Sequence, residues 1–155
     1  MEKISLKLFE FYNLDSELNG VVNQQTGEKV SNGLLAEKLK LTTKYWLTEL
    51  SKKVTAEKNA VESLKEELIK KHGEADENGN IGIQMYTDVV KDEDGNIVEG
   101  KPNPKFIEFQ NEFNTLLQEE KELEYKPVNL NELESIETEG NYSTFFKLVV
   151  ADEQA

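Results

Sequence analysis

Apolar and polar residues alternate from position 4 to 8, Ile4-Ser5-Leu6-Lys7-Leu8, which is the period of a short strand. The period then lengthens. Phe11, Leu14, Leu18 and Val22 fall near one face of a helix predicted over residues 9 to 22. Gln24-Gln25-Thr26-Gly27-Glu28 reads as a turn, and Ser31-Asn32-Gly33 as the approach to a second helix. That helix is predicted over 34 to 72, with Gly73 as its stop. Leu47, Leu50, Val54, Val61, Leu64 and Leu68 recur in steps of three, four, seven, three and four, a heptad seam in which Glu57 occupies the skipped position. Leu35, Leu39 and Trp46 widen the apolar face before the seam begins, which suits docking into a globular end.

The pattern breaks between 76 and 100. Asn78-Gly79 and Asp94-Gly95 are strong turn pairs, and the apolar residues between and after them predict a β-hairpin or a mobile acidic loop. Asn103 and Pro104 then mark a helix start. Phe106, Phe109, Phe113, Leu116 and Leu123 form a second seam, Glu120 fills its gap, and Pro127 ends it. Val128-Asn129-Leu130 echoes the N-terminal strand and is expected to pair with Ile4 to Leu6. A short helix is expected from Asn131 and a final one over 144 to 150. The expected fold is therefore mainly α with small β elements. It is a long antiparallel, coiled-coil-like helical hairpin (34–73 and 103–124) with a β or loop tip (74–102). A compact base is formed by both termini (1–33 and 125–155), all within one domain.

Charge fits that expectation. Residues 34–72 hold nine lysines and six glutamates, net +3, while 104–124 hold two lysines and six glutamates, net −4. Facing helices of opposite sign select register, although exposed pairs contribute only about 0–1 kcal/mol each. The whole chain of 155 residues carries −13, with lysine as its only strongly basic residue. Arginine, the preferred fork for phosphates and base edges, is missing, so direct nucleic-acid binding is not expected. Cysteine is also missing, which removes disulfides, thiolate catalysis and Cys-based zinc sites. No apolar run reaches the roughly 20 residues of a membrane span, and no signal-peptide core follows Met1. A cytoplasmic or particle-borne protein is the expectation.

Candidate chemistry is sparse. With Leu68 set opposite Phe106 in a hairpin, Glu57 comes near Glu120, and two facing carboxylates are the start of a divalent-cation site. Two acids are too few for metal-dependent nucleotide hydrolysis. The competing expectation is a wet seam or pairing with Lys53, Lys58 or Lys121. Aligning Gly79 with a calcium-loop glycine places Met85 where the bidentate acid belongs, and aligning Gly95 places Lys101 there, so neither loop matches. His72, the single histidine, is expected to cap the C-terminus of its helix. Tyr45 and Trp46 form either a stacking platform or, as expected, part of a core, and the phenylalanine stripe reads as seam. Phe145, Phe146 and Val149, with their apolar neighbours, either close the base or offer a partner-contact surface.

The run Gly33-Leu34-Leu35-Ala36-Glu37-Lys38-Leu39, then Lys44-Tyr45-Trp46-Leu47, the Asp-Gly-Asn tip, Phe109-x-x-Glu112 with Leu116-Leu117, and Val128 to Leu133 resemble small uncharacterised proteins of tailed bacteriophages with a prefoldin-like helical hairpin. The likeness covers residues 9 to 136. It implies a phage origin, host cytoplasm or virion as location, and a non-enzymatic role without cofactors. The expected activity is protein–protein contact as a virion, assembly or accessory component, with phage structural proteins or a host protein as partners. The chain leaves room for a homo-oligomer. Residues 73–155 hold 20 acids and six lysines, net −14, which raises a second reading: an inhibitor of a host nucleic-acid-binding or defence protein. A helical metal-dependent hydrolase built on Glu57 and Glu120 is a third and weaker one.

Overall fold

The computed structural model describes residues 1–136 and 142–150. In chain order its elements are β1 (Glu2–Lys7), α1 (Leu8–Asn19), β2 (Val21–Val22), β3 (Lys29–Ser31) and α2 (Leu41–His72). Then come β4 (Glu74–Ala75), β5 (Ile81–Gly82), β6 (Tyr86–Lys91), β7 (Ile97–Pro102) and α3 (Pro104–Leu117). β8 (Glu120–Tyr125), β9 (Val128–Asn129) and β10 (Val149–Val150) complete the set, with 3-10 turns at Leu34–Ala36, Leu130–Leu133 and Phe145–Leu148. Among the described residues the fold is mixed α/β, with five two-stranded sheets, and corrects the expectation of a mainly α protein. The chain forms two compact units, Met1–Asn59 with Glu119–Ala155, and Ala60–Gln118. The parts of the expected base at 137–141 and 151–155 lie outside the described residues.

The long antiparallel helical hairpin is not formed. α2 has 32 residues but α3 only 14, and beyond Gln118 the chain changes to strand. The reason is legible in β8 itself. Lys121, Leu123 and Tyr125 alternate with Glu120, Glu122 and Glu124, a strand period that the three-four spacing of Leu116 and Leu123 disguises. β8 pairs antiparallel with β1, Ile4 opposite Leu123 and Leu6 opposite Lys121. The expected pairing of Val128 to Leu130 with β1 therefore does not occur. Val128 instead pairs in parallel with Val149, and the expected final helix is a single 3-10 turn followed by β10.

In the first unit, α1 buries Phe11, Leu14 and Leu18. Its first turn is closed by Glu10, which accepts the Lys7 N–H at 3.1 Å. α2 begins at Leu41 rather than near 34. Gly33, at φ 78°, runs so close to the end of α1 that a Cβ would lie 2.4 Å from the Gly20 nitrogen. Leu34 is consequently drawn into the core as part of a 3-10 turn whose cap, Glu37, is extended. α2 ends at His72 as expected, where the Gly73 N–H donates to Ile69 O at 2.7 Å. Leu47, Leu50 and Val54 of its seam are buried within the first unit together with Leu6, Leu123 and Phe145.

In the second unit the tip is ordered as two hairpins, β4–β5 and β6–β7. They turn on a repeated hexapeptide, Asp76-Glu77-Asn78-Gly79-Asn80-Ile81 and Asp92-Glu93-Asp94-Gly95-Asn96-Ile97. In each, one oxygen of the leading Asp accepts two backbone N–H groups two and four residues on, at 2.8 to 3.0 Å. The glycines take positive φ, 81° and 84°, which makes each a three-residue turn with a glycine bulge. Asn103 Oδ1 accepts the Lys105 N–H at 3.1 Å and caps α3, with proline at its first position.

Candidate functional site

The buried carboxylates of the first unit are structural fasteners. Asp15 Oδ1 accepts from Thr55 Oγ1 at 2.7 Å and Asn19 Nδ2 at 3.1 Å, and Oδ2 meets Lys58 Nζ at 3.1 Å, so α1 is clamped to α2. Glu17 accepts the N–H groups of Thr144 and Phe145 at 3.0 and 3.2 Å, fixing the 3-10 turn that buries Phe145. Burial pushes the Glu17 carboxyl above its ordinary value of 4.5, and those hydrogen bonds only partly offset it. Burial also raises Glu10, but the Lys147 ammonium and the Lys7 N–H outweigh it and hold that carboxyl low.

Of the two seam glutamates, Glu57 lies on α2 and ion-pairs with Lys121, one of the lysines expected as a partner. Glu120 lies on a strand, opposite Lys7, and accepts from Ser5 Oγ at 3.4 Å. A helix and a strand thus carry the two acids, not two facing helices. The outer row Glu120, Glu122 and Glu124 runs beside Lys7, Ser5 and Lys3, and Lys3 reaches Glu122 at 3.5 Å.

His72 does more than end its helix. Its side chain is only 9% exposed, with Nε2 3.2 Å from Glu112 Oε2 and Nδ1 3.6 Å from Glu108 Oε2. Lys71 Nζ also reaches Glu112, at 3.1 Å. The hydrogen bond from His72, then that from Lys71, hold Glu112 below the ordinary carboxylate value. The sequence offered a hint, because Glu108 and Glu112 are four residues apart on one face of α3. A cleft of about 550 Å³ beside this cluster is bordered by Glu74, Asp76, Asn103 and Lys105, with Lys105 Nζ paired to Glu74 at 3.0 Å.

Trp46 is half-buried, packed edge-on against exposed Tyr45 with ring centres 5.1 Å apart, and Lys126 Nζ sits 4.9 Å from its ring centre. In the phenylalanine stripe Phe109 is buried; its ring stacks on Phe113 at 5.9 Å and meets Phe106 tilted at 6.2 Å. The proposed C-terminal surface splits. Phe145 is fully buried, Val149 is half-buried in its strand pair, and Phe146 is 53% exposed.

The larger asymmetry lies in where apolar side chains sit. Of 16 buried apolar residues among the described residues, only Val61 and Phe109 belong to the second unit. Of 18 large apolar residues that are exposed, eight belong to it, among them Met85, Tyr86, Val90, Ile97 and Val98. The exposed apolar side chains of β6 and β7 are the candidate contact residues. Among the described residues, no group of three acids or histidines is placed to hold a metal ion, and no helix is long and apolar enough to cross a membrane.

Comparison with protein-family models, with curated proteins and with solved structures finds no match to this chain.

Proposed function

We propose that the protein is a non-enzymatic interaction protein whose working surface is the second unit. The exposed apolar side chains of β6 and β7 carry this reading, because they lie in a unit with almost no buried apolar residues of its own. A two-stranded hairpin is marginal in water and gains stability when an apolar face is covered. Five large apolar side chains left exposed over Met85 to Val98 of an otherwise polar chain suit a protein contact. The narrower reading, a virion, assembly or accessory component of a tailed phage, rests on the sequence likeness alone. Stoichiometric presence in purified particles supports it; absence from them ends it.

The inhibitor reading draws on the acidic turns Asp92-Glu93-Asp94 and Asp76-Glu77. The glutamate row of β8, in contrast, lies against lysines and is a poor imitation of a phosphate backbone. The hydrolase reading loses its geometry, since Glu57 is ion-paired and Glu120 is on a strand.

The test is capture of partners by the tagged full chain and by its Ile97→Asp/Val98→Asp variant, with salt-stepped elution. A partner retained by the parent and lost by the variant, with Trp46 emission unchanged, supports the proposal. A partner set that is identical for both chains sinks it.

A further inference from the structure

We infer that Asn78 is a site of spontaneous covalent modification: the Gly79 backbone nitrogen attacks its side chain, water completes the conversion to aspartate, and the folded β4–β5 hairpin accommodates the product.

The sequence supplies three candidates for this chemistry. Asparagine precedes glycine at 19–20, 32–33 and 78–79. Glycine has no Cβ, so its nitrogen is unhindered toward the side chain before it. At 78–79 the Gly79 nitrogen gives up its proton and bonds to Asn78 Cγ. The Cγ–Nδ2 bond breaks, and Nδ2 leaves with that proton as ammonia. Water then opens the five-membered imide. Attack at Cγ restores the ordinary backbone and leaves aspartate; attack at the main-chain carbonyl leaves isoaspartate. One water enters and one ammonia departs, with nothing oxidised or reduced.

The fold separates the three. Asn19 is held through both side-chain atoms: Nδ2 donates to Asp15 Oδ1 at 3.1 Å, and Oδ1 accepts from Ser51 Oγ at 3.0 Å. The Gly20 N–H is also tied to Ser16 O at 2.8 Å, so ring closure there must undo the end of α1. Asn32 precedes a buried glycine. A Cβ on Gly33 would lie 2.4 Å from the Gly20 nitrogen and 2.6 Å from Leu18 O, which leaves no room for an imide or for the water that opens it. Asn78 and Gly79 are both exposed. Among the described residues beyond its chain neighbours, nothing lies within 4 Å of where a Gly79 Cβ would be. The hydrogen bond from the Gly79 N–H to Asp76 O, at 3.0 Å, has to open first. It belongs to a hairpin whose strands are two residues long, and so short a hairpin opens readily.

The second hairpin shows that the aspartate fits. Asp94 stands in its turn where Asn78 stands in the first, so conversion makes residues 76–81 read as residues 92–97 do. Both turns already carry the same bonds. Asp76 Oδ1 accepts from the N–H groups of Asn78 and Asn80 at 2.8 and 2.9 Å, and Asp92 Oδ1 from those of Asp94 and Asn96 at 3.0 and 2.9 Å. The Asp76 N–H donates to Asn80 O at 2.8 Å and the Asp92 N–H to Asn96 O at 2.9 Å. The Asn78 side chain takes no part in these bonds. Its conversion therefore adds one negative charge to the turn without removing a bond that closes it.

The test is to incubate the full chain in warm, mildly alkaline buffer, digest samples at acidic pH, and map by mass where ammonia has been exchanged for water. In the folded chain Asn78 should convert at least about tenfold faster than Asn19 or Asn32. In concentrated urea the three rates should come within about threefold of one another, because the protection at 19 and 32 is lost with the fold. No conversion at Asn78, or conversion at Asn19 or Asn32 as fast as at Asn78 in the folded chain, overturns the inference. So does a preference for Asn78 that persists in urea, since its cause would then be the local sequence. Asn78→Asp tests the product directly. Its amide spectrum should keep the cross-strand contacts of Glu74 with Gly82 and of Ala75 with Ile81. Loss of that pairing would show that the hairpin does not accommodate aspartate.

Discussion

Asp15 joins α1 to α2 through two donors, Thr55 and Lys58, accepts a third hydrogen bond from Asn19 of its own helix, and is only 8% exposed. Asp15→Ala leaves Thr55 and Lys58 without that acceptor. The loss is tempered because Lys58 is one-third exposed. The expected cost is about 2 kcal/mol, or a thermal midpoint lower by about 4–8 °C. Emission of Trp46, the single tryptophan, reads it directly, since that residue belongs to the same unit. An unchanged midpoint would remove the clamp. Glu17 makes the opposite kind of prediction. Its carboxyl is raised above 4.5, so the ionised form is disfavoured in the folded chain. That handicap is full above the folded value, fades as pH falls through it, and is gone below 4.5. Glu17→Gln keeps an acceptor for Thr144 and Phe145 without the charge. It should raise the urea midpoint at pH 7 and match the parent near pH 4. A variant less stable than the parent at pH 7 would show that the charge is needed.

At the scale of elements, α3 is held by few side chains, and Glu112 serves two of the donors at once, Lys71 and His72. Glu112→Ala should speed amide exchange across 104–117 severalfold while leaving Trp46 emission unchanged; equal exchange in both chains would make the cluster ornamental. Much at this scale was open to sequence reading. α1, the turn after it, the stop at Gly73 and the Asn103-Pro104 start are set by local signals: apolar period, glycine and capping. The misread elements were decided by contacts distant in sequence. Leu34 has a helical neighbourhood but is captured by the Gly20–Gly33 approach, and Leu123 fits a helical seam but is claimed by Ile4. Glu120 joined the candidate site only through that misread seam. His72 was undervalued because its partners Glu108 and Glu112 lie more than 30 residues away, and the hydrogen bonds to Glu17 that fix the turn holding Phe145 could not be foreseen for the same reason.

Among the described residues, apolar burial is uneven between the two units. Fourteen of the 16 buried apolar residues belong to the first unit, and the second keeps Val61 and Phe109. Apolar burial contributes roughly 1.5–3 kcal/mol per fully enclosed large side chain, so the first unit holds most of the free energy that resists opening. The second unit relies on paired hairpins, the His72 cluster and the ring contacts of Phe106, Phe109 and Phe113, with far fewer buried apolar side chains. Opening should therefore be stepwise. In hydrogen exchange of the full chain, segments 86–102 and 104–117 should exchange at least about 100-fold faster than segments 8–18 and 47–54, since a difference near 3 kcal/mol in opening free energy gives that ratio. Denaturant far below the midpoint of Trp46 emission should already have released them. A partner that covers the hairpin face should slow exchange at 86–102 and leave the first unit unaffected. Equal protection in both units would mean that the exposed apolar side chains of β6 and β7 sit on a sheet stable without a partner, and the main argument for a docking surface there would be lost.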